Sequence, residues 1–323
     1  MNSKLTVGRL FERMRDLLHL ERVTGGLGLD RPITSPEAHS PGLVLAGYTD
    51  RFTGTRIQVL GETEVSYLNS LDAAERRCNL RRYFETTFPC IIITKGQDLP
   101  EGLEQLAVQN EVPVLRSALK TAEFYRRIKP FLEEEFAPTA TLHGSLADVF
   151  GVGLFFTGQS GIGKSECVLD LVERGHRLVA DDLVICKRRG HDILIGRGHE
   201  LQRHHMEIRG VGLVDVPAIF GIRAVRQQKR IEVVVHLEMW NQEAVIDRTG
   251  LDVEQMTILD VTLPRIRVPL NPGKNITVIA EVIAMNHLLA YSGVNTAEAF
   301  NQRLLNRMRQ GSDVHRYLQE DDE

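Results

Sequence analysis

Cysteine is scarce in this sequence of 323 residues, and its spacing excludes two kinds of stabilising site. The four cysteines are scattered and include no C-x-x-C pair; they are Cys78, Cys90, Cys167 and Cys186. We therefore expect neither a disulfide scaffold nor a structural zinc site, and a reducing compartment fits this cysteine usage.

Long apolar runs are also missing. No stretch approaches the roughly 18 or more apolar residues that a membrane helix needs. Residues 1–23 are interrupted by charges and lack the continuous apolar region of a secretory signal. We therefore expect a soluble, cytoplasmic protein without a membrane partner.

A dominant charge of one sign is missing as well. The formal net charge is -4 and the sequence pI is about 6.3. Because a nucleic-acid-binding domain usually carries a basic patch or stripe, no nucleic-acid partner is expected. Hydrophobic residues make up 42% of the chain and charged residues 25%, which predicts a globular protein. The chain length predicts about two domains.

The first half alternates short apolar runs with amphipathic segments. We predict strands at 42–48, 90–96 and 112–117, and helices at 5–22, 99–111 and 121–136. The order strand, helix, strand between residues 90 and 117 predicts a parallel βαβ unit. Pro130 lies inside the last helical segment and predicts a kink or a break there.

A stretch near residues 134–140, which contains Pro138 and few large apolar residues, marks the predicted domain boundary. We place an N-terminal α/β domain at 1–134 and a second α/β domain at 135–323. In the second domain we predict strands at 151–158, 176–188 and 231–240, and helices at 164–175, 275–293 and 296–310.

A phosphate-binding loop of the form G-x-x-x-x-G-K-[ST] follows the first strand of the second domain and opens its first helix. Its residues are Gly158, Gln159, Ser160, Gly161, Ile162, Gly163, Lys164 and Ser165. In such a loop the backbone N–H groups and the helix N-terminus face the phosphates of a nucleotide such as ATP. Lys164 would reach the β- and γ-phosphates, and the Ser165 hydroxyl would ligate Mg²⁺. The alternative is a glycine-rich turn without a ligand.

Two absences narrow the class of this P-loop protein. No N-K-x-D element follows the loop, which argues against a GTPase. The L-S-G-G-Q element is absent too, which argues against a transporter ATPase. Kinases and unusual ATPases remain. The predicted fold class is therefore an N-terminal α/β domain followed by a P-loop-containing, nucleotide-binding α/β domain.

Asp181 and Asp182 end the strand that follows the first helix of this domain. Because adjacent side chains on a strand face opposite ways, the two carboxylates should have different roles. One could act as the general base that draws the proton from an acceptor hydroxyl. The alternative is an acidic turn or a helix cap.

Other candidate residues flank these two motifs. Glu207, in the unusual stretch 206–215, could bind Mg²⁺ directly or through water, or could belong to a surface turn. His143 could orient a carboxylate or contact a phosphate, although a lone histidine is more often structural. Cations could stabilise a transferring phosphoryl group or simply be solvated; they are Arg248, Arg265, Arg267 and Lys274. We expect no zinc site among His199, His204 and His205.

Several of these segments, in this order and at these separations, resemble the HPr serine kinase/phosphorylase family. They are HGSL at 143–146, TGQSGIGKSE at 157–166, LVADD at 178–182, MEIRGVGLVD at 206–215 and PLNPGKN at 269–275. The resemblance implies a bifunctional enzyme that uses ATP to phosphorylate one serine of HPr, the phosphocarrier protein of the sugar phosphotransferase system. It also implies removal of that phosphate by phosphorolysis, with inorganic phosphate as acceptor and pyrophosphate as product, in the control of carbon metabolism.

The resemblance also implies roles for individual residues. Ser165 and Glu207 would hold Mg²⁺, and Asp182, rather than Asp181, would take the serine proton. The remaining electrostatic site would consist of His143, Lys164 and Arg248. A homohexamer is implied too.

The segment 269–274 would serve mainly dephosphorylation, whereas the segment 206–215 would serve both directions. This sequence departs from the family pattern at Asn271 and Lys274, where the family often has arginine. Because lysine lacks the bidentate fork of arginine, the departure bears on phosphorolysis. The alternatives are a P-loop ATP hydrolase, a non-catalytic nucleotide-sensing module and, more weakly, a small-molecule kinase.

Overall fold

The computed structural model describes residues 5–50, 52–240, 254–271 and 275–294, together with 299, 302–303 and 305–307. The chain forms two compact units, Met1–Ala137 and Pro138–Glu323. Each unit combines helices with a mainly parallel or mixed sheet, so the predicted α/β fold class is confirmed. Within the described part of the chain, no helix has the length and apolar character needed to cross a membrane.

The first unit is a five-stranded sheet with helices on both faces. Its elements in chain order are α1 Val7–Leu18, β1 Leu20–Arg22, β2 Ala38–His39, α2 Gly42–Leu45, β3 Ile57–Leu60, α3 Glu62–Ser70, α4 Ala73–Phe84, β4 Ile91–Ile93, α5 Leu103–Gln109, β5 Val114–Ser117 and α6 Thr121–Glu135. The strand order is β1-β5-β4-β3-β2, and only β1 runs antiparallel to its neighbour. The predicted parallel βαβ unit is confirmed, since α5 joins β4 to the parallel strand β5.

Alternate side chains of each strand face opposite helical layers, as the twofold repeat of a strand requires. Ile91 and Ile93 of β4 pack against the layer of α2, α3, α4 and α5, whereas Ile92 packs against α1 and α6. Because both faces are covered, the central strand β4 is an apolar run without a polar side, which is typical of parallel sheets.

In the first unit one prediction is wrong, and a second is wrong in part. The predicted strand at 42–48 is the short helix α2, which follows Pro41 and buries the adjacent residues Val44 and Leu45. A short apolar run does not by its periodicity distinguish a strand from a buried helical turn. Of the predicted kink or break at Pro130, the break is absent, because α6 continues through Pro130 on the buried stripe Phe124, Ile128 and Leu132.

The second unit contains a six-stranded, a four-stranded and a two-stranded sheet. Its elements are β6 Thr139–His143, β7 Ser145–Val149, β8 Val152–Thr157, α7 Lys164–Glu173, β9 Arg177–Ala180, β10 Leu183–Arg189, β11 Ile193–Gly198, β12 His205–Ile208, β13 Gly212–Asp215, α8 Val216–Phe220, β14 Gln228–Arg230, β15 Val233–Met239, β16 Glu254–Ile258, β17 Val261–Leu270 and α9 Ile276–Tyr291. The strand orders are β16-β17-β15-β8-β7-β9, β14-β11-β10-β6 and β12-β13.

Three neighbouring strands of the large sheet, β8, β15 and β17, are parallel, so their carboxyl ends lie at one edge. Helices α7 and α9 cover one face of this sheet, and the four-stranded sheet packs on the other through a second apolar cluster. Open α/β sheets bind ligands outside the carboxyl ends of their strands. This edge is therefore where the site is expected.

The predicted strand at 176–188 is two strands. β9 ends at Ala180 in the large sheet, and β10 begins at Leu183 in the four-stranded sheet, so Asp181 and Asp182 form the corner between the sheets. Asp182 adopts a left-handed backbone with φ 63°, which turns the chain sharply and which aspartate tolerates better than most residues.

The predicted helix at 296–310 lies largely outside the described residues.

Candidate active site

The phosphate-binding loop leaves β8 at Thr157 and enters α7 at Lys164. A Cβ atom at Gly158 would lie 2.5 Å from the carbonyl oxygen of Leu237, so only glycine fits this close approach of two backbones. At Gly161 the backbone has φ 77°, and a Cβ atom would collide with the guanidinium group of Arg209. The backbone contact therefore requires glycine at Gly158, whereas the left-handed backbone and the contact with Arg209 favour glycine at Gly161.

Lys164 is buried at the start of α7, and its ammonium group stays within the loop. Its Nζ donates hydrogen bonds to the carbonyl oxygens of Gly158 at 3.2 Å and Gln159 at 2.9 Å. Burial lowers the pKa of Lys164, and the neighbouring carboxylate of Asp181 opposes that shift. The positive charge therefore lies inside the curve of the loop, where a phosphate would be bound.

Asp181 faces inward and joins three segments of the site. Its Oδ1 accepts hydrogen bonds from the hydroxyl groups of Ser145 at 2.6 Å and Ser165 at 3.0 Å. Burial raises the pKa of Asp181, and the hydrogen bonds from Ser145 and Ser165, followed by the nearby backbone of Asp182 and of Glu207, oppose the shift. Its Oδ2 is buried without a hydrogen-bond partner. A buried, unpaired carboxylate oxygen beside the loop serine is a candidate cation ligand.

Asp182 faces outward and pairs with His143. The distance from His143 Nδ1 to Asp182 Oδ1 is 3.1 Å, and about half of each side chain is exposed. The pair is held by the antiparallel register of β6 and β10, where His143 lies opposite Leu183, and by a hydrogen bond from the Gly144 N–H to the Asp182 carbonyl. An exposed carboxylate at this place can meet the hydroxyl group of a large acceptor.

The hairpin of β12 and β13 brings Glu207 and Arg209 to the loop. The backbone of Glu207 contacts Asp181, and the guanidinium group of Arg209 packs on Gly161 and lowers the pKa of Lys164 as a minor cause after burial. The sequence alone predicts no separate role for Asp181 or Arg209. Their positions in the sequence could have indicated a role in the site. Asp181 directly follows a strand at the sheet edge, and Arg209 lies in the glycine-containing stretch 206–215.

The remaining predicted cations fall into two groups. Arg248 and Lys274 lie outside the described residues, so their predicted roles stay predictions. Arg267 forms an ion pair with Glu254 on β16, which agrees with an ordinary surface role. β15 lies between β8 and β17, and the three strands are parallel, so β15 ends at Met239 and β17 ends at Leu270 at the edge that carries the loop.

Two family models match the chain, "HPr Serine kinase N terminus" over residues 5–132 and "HPr Serine kinase C-terminal domain" over residues 134–304. The HPr kinase/phosphorylase of Geobacillus thermodenitrificans is 44% identical over 302 residues, which cover 93% of this chain and 98% of the relative. The HPr kinase/phosphorylase of Chloroherpeton thalassium is 49% identical over 277 residues, which cover 85% of this chain and 81% of the relative.

Among solved structures, the HPr(Ser) kinase/phosphatase from Coxiella burnetii is 31% identical, with a TM-score of 0.45. The match covers 50% of this chain and 98% of that chain. The sequence matches run through both halves of the chain and through the phosphate loop, the aspartate corner and the hairpin described above. The chain therefore belongs to the HPr serine kinase/phosphorylase family, as its motifs predicted.

Proposed function

We propose that this chain uses ATP and Mg²⁺ to phosphorylate a serine of the phosphocarrier protein HPr, and that it removes the phosphate by phosphorolysis. The observation that carries the proposal is that the two aspartates at the corner, Asp181 and Asp182, face opposite sides. Asp181 points inward to Ser165 of the phosphate loop, whereas Asp182 points outward with His143. A protein acceptor needs an exposed base beside a buried phosphate site.

The triphosphate would lie in the loop 158–165. The backbone N–H groups and the N-terminus of α7 attract its charge, and Lys164 supplies a buried cation. Arg209, which packs on Gly161, adds a second cation at the mouth of the loop. These positive groups stabilise the charge that develops on the transferring phosphoryl group.

The residues present fit a magnesium ion. Ser165 and Glu207 would hold it, and the unpaired Oδ2 of Asp181 would hold it directly or through water. Within the described residues no three His, Cys, Asp or Glu side chains converge as a metal site. Mg²⁺ usually takes few protein carboxylates and completes its shell with phosphates and water. When bound, the ion would neutralise charge on the β- and γ-phosphates.

In the forward direction, Asp182 takes the proton of the acceptor serine as the serine oxygen bonds to the γ-phosphorus atom. The bond from that phosphorus to the bridging oxygen breaks, and ADP leaves. His143 Nδ1, 3.1 Å from the carboxylate, orients Asp182 and stabilises its charge. Arg248, assigned by family resemblance, would add a cation at the same edge.

In the reverse direction, an oxygen of inorganic phosphate bonds to the phosphorus of the phosphoserine. The serine O–P bond breaks, protonated Asp182 returns its proton to the serine oxygen, and pyrophosphate forms. Residues 269 and 270 end β17 at the edge that carries the loop, and the segment 269–274 would serve this direction. We expect Asn271 and Lys274 to weaken phosphorolysis more than kinase activity. A cytoplasmic homohexamer completes the proposal.

The test is mass spectrometry of HPr after incubation with the purified protein, ATP and Mg²⁺, followed by excess inorganic phosphate. We expect one added phosphate on a serine and its removal with release of pyrophosphate. ATP consumption without phosphorylated HPr would replace the proposal with an ATP hydrolase. ATP binding without turnover, even with HPr present, would replace it with a nucleotide-sensing module.

A further inference from the structure

One histidine of β15 contacts the strand that feeds the phosphate loop. β15 runs parallel to β8, and the register places His236 beside Thr157. The distance between His236 Nδ1 and the Thr157 hydroxyl oxygen is 3.0 Å, within hydrogen-bond range. Thr157 is the last residue of β8, so this bond lies at the point where the strand becomes the loop.

The next residue of β15 holds the next residue of the loop. The Leu237 carbonyl oxygen lies so close to Gly158 that no side chain fits between the two backbones. The Gly158 carbonyl in turn accepts a hydrogen bond from Lys164 Nζ. Contacts therefore run without interruption from His236 through Thr157 and Gly158 to the lysine of the phosphate site.

The charges around His236 favour the neutral imidazole. Burial lowers its pKa first, and Arg265 and Arg267 of the neighbouring strand β17 lower it further. Glu238 on β15 and Glu254 on β16 oppose this shift without reversing it. A neutral imidazole retains one ring nitrogen that accepts a hydrogen bond, and a threonine hydroxyl can donate or accept.

We propose that His236 is a positioning residue for the phosphate loop, because its hydrogen bond to Thr157 fixes the first residues of the loop and thereby the affinity for the triphosphate. The inference rests on the proposed ATP-dependent function and extends it to a residue outside the loop, the aspartate corner and the hairpin. His236 itself does not contact the phosphates in this proposal. It acts through Thr157 and Gly158 on Lys164.

A merely structural role predicts something different. If His236 only filled space in the sheet, its replacement would lower the thermal stability without changing ATP affinity in the folded protein. If it positions the loop, the Kd and the KM for ATP rise while the KM for HPr stays unchanged, because the acceptor side at Asp182 is built by β6 and β10.

The experiment is a double-mutant cycle read by calorimetric titration of ATP·Mg²⁺. His236→Ala and Thr157→Val should each raise the Kd by about two- to tenfold, the range expected for one hydrogen bond. The double variant should lose no more than either single variant, since both remove the same bond. His236→Asn should restore affinity, because its amide replaces the ring nitrogen near the hydroxyl. His191→Ala, in the exposed turn after β10, is the matched control.

Three results would overturn the inference. One is an unchanged Kd in His236→Ala while the wild type binds ATP, and another is full additivity of the two single effects. The third is failure of His236→Asn to restore affinity although it melts at the wild-type temperature. Absence of ATP binding by the wild type would overturn the proposed function, and this inference with it, and is thereby distinguishable from the other outcomes.

Discussion

The carboxyl edges of the two sheets, one in each unit, differ in how their polar side chains are used. In the first unit, polar side chains at this edge pair with each other. The hydroxyl groups of Thr94 and Thr121 are 2.7 Å apart, and Glu62 forms an ion pair with Lys95. In the second unit the edge leaves one oxygen of Asp181 unpaired and exposes Asp182.

The comparison separates fold from function. Both edges offer parallel strand ends and helix N-termini, which suit ligand binding in general. Among the residues that the structure describes, only the second edge combines a buried cation, an unpaired carboxylate oxygen and an exposed carboxylate at one place. Similar architecture therefore holds a candidate site in one unit and local hydrogen bonds and ion pairs in the other, because a site depends on side chains and not on the fold alone.

The largest effect should come from Asp182→Asn. We expect transfer in both directions to fall by about 10²- to 10⁴-fold, the usual contribution of a general base, with ATP affinity nearly unchanged. Asparagine tolerates the left-handed backbone at this position, so the fold should persist. The measurement is the rate of HPr phosphorylation beside an ATP titration. Substantial residual transfer with tight ATP binding would contradict the assignment of the base.

Lys95→Ala is the matched change at the edge of the first unit. Like Asp182, Lys95 lies just after a strand and belongs to an ion pair at the sheet edge. Its partner Glu62 is exposed, and both residues are far in sequence from the loop 158–165. We expect the transfer rate to stay at the wild-type value. A large loss would mean that the first edge also carries chemistry, and the comparison would fail.

The second effect concerns one glycine in each unit. Gly161 and Gly96 both have positive φ, but only a Cβ atom at Gly161 meets Arg209. Gly161→Ala should weaken ATP binding by about tenfold or more, since it displaces a cation from the loop. Gly96→Ala should leave ATP binding unchanged, although it too strains a left-handed backbone. Calorimetric titration of ATP measures both, and equal losses would contradict the role of Arg209.

A third effect is on stability, at a cluster that joins α7 to α9. Glu281 accepts hydrogen bonds from Arg174 at 2.8 and 2.6 Å, and His176 Nε2 lies 3.0 Å from it. Glu281→Gln should lower the free energy of unfolding by about 1–3 kcal/mol, the range for hydrogen bonds to charged groups. Denaturant titration measures this loss. Glu62 is the exposed partner of Lys95, so Glu62→Gln should change the free energy of unfolding little. A larger loss for Glu62→Gln than for Glu281→Gln would contradict the prediction.

The same glutamate predicts a pH dependence. The hydrogen bonds from Arg174, and then from His176, lower the pKa of Glu281 from 4.5 to about 2. Because the folded pKa lies below the unfolded value, the stabilisation is complete above about pH 4.5 and is lost as the pH falls toward 2. Denaturant midpoints between pH 5 and pH 3 should fall more steeply for the wild type than for Glu281→Gln. Parallel slopes would contradict the prediction.

The smallest expected effect is chemical labelling of thiols. Cys78 is exposed, whereas burial raises the pKa of Cys90, Cys167 and Cys186 to about 12 in each case. In the native protein a thiol-specific reagent should label Cys78 of the first unit rapidly, without loss of ATP binding. Rapid labelling of Cys167, which lies on α7, would indicate that the second unit opens near the loop.

The strongest sequence predictions were those in which several local features agreed. An apolar run, a glycine-rich loop with Lys164 and Ser165, and a helical segment predicted β8, the loop and α7, and the structure contains all three. Shorter or single features failed. The run at 42–48 was too short to distinguish a strand from a helix, and Pro130 alone did not outweigh the buried face of α6.

The sequence by itself determined the class of the protein. Its family motifs, its paired aspartates and the scarcity of cysteine, long apolar runs and excess charge are properties of residue order, and they needed no coordinates. The short apolar, β-branched runs within 90–96 and 231–240 predicted strands, and the structure contains β4 and β15 there.

Only the tertiary structure decided what each side chain faces. On one continuous strand, Asp181 and Asp182 would differ only by alternation, but the left-handed corner sends them to different sheets, one toward Ser165 and one toward His143. Arg209 meets Gly161, and His236 meets Thr157, across long separations in sequence. Such contacts depend on strand order and register, which are set by packing of the whole unit and not by any local pattern.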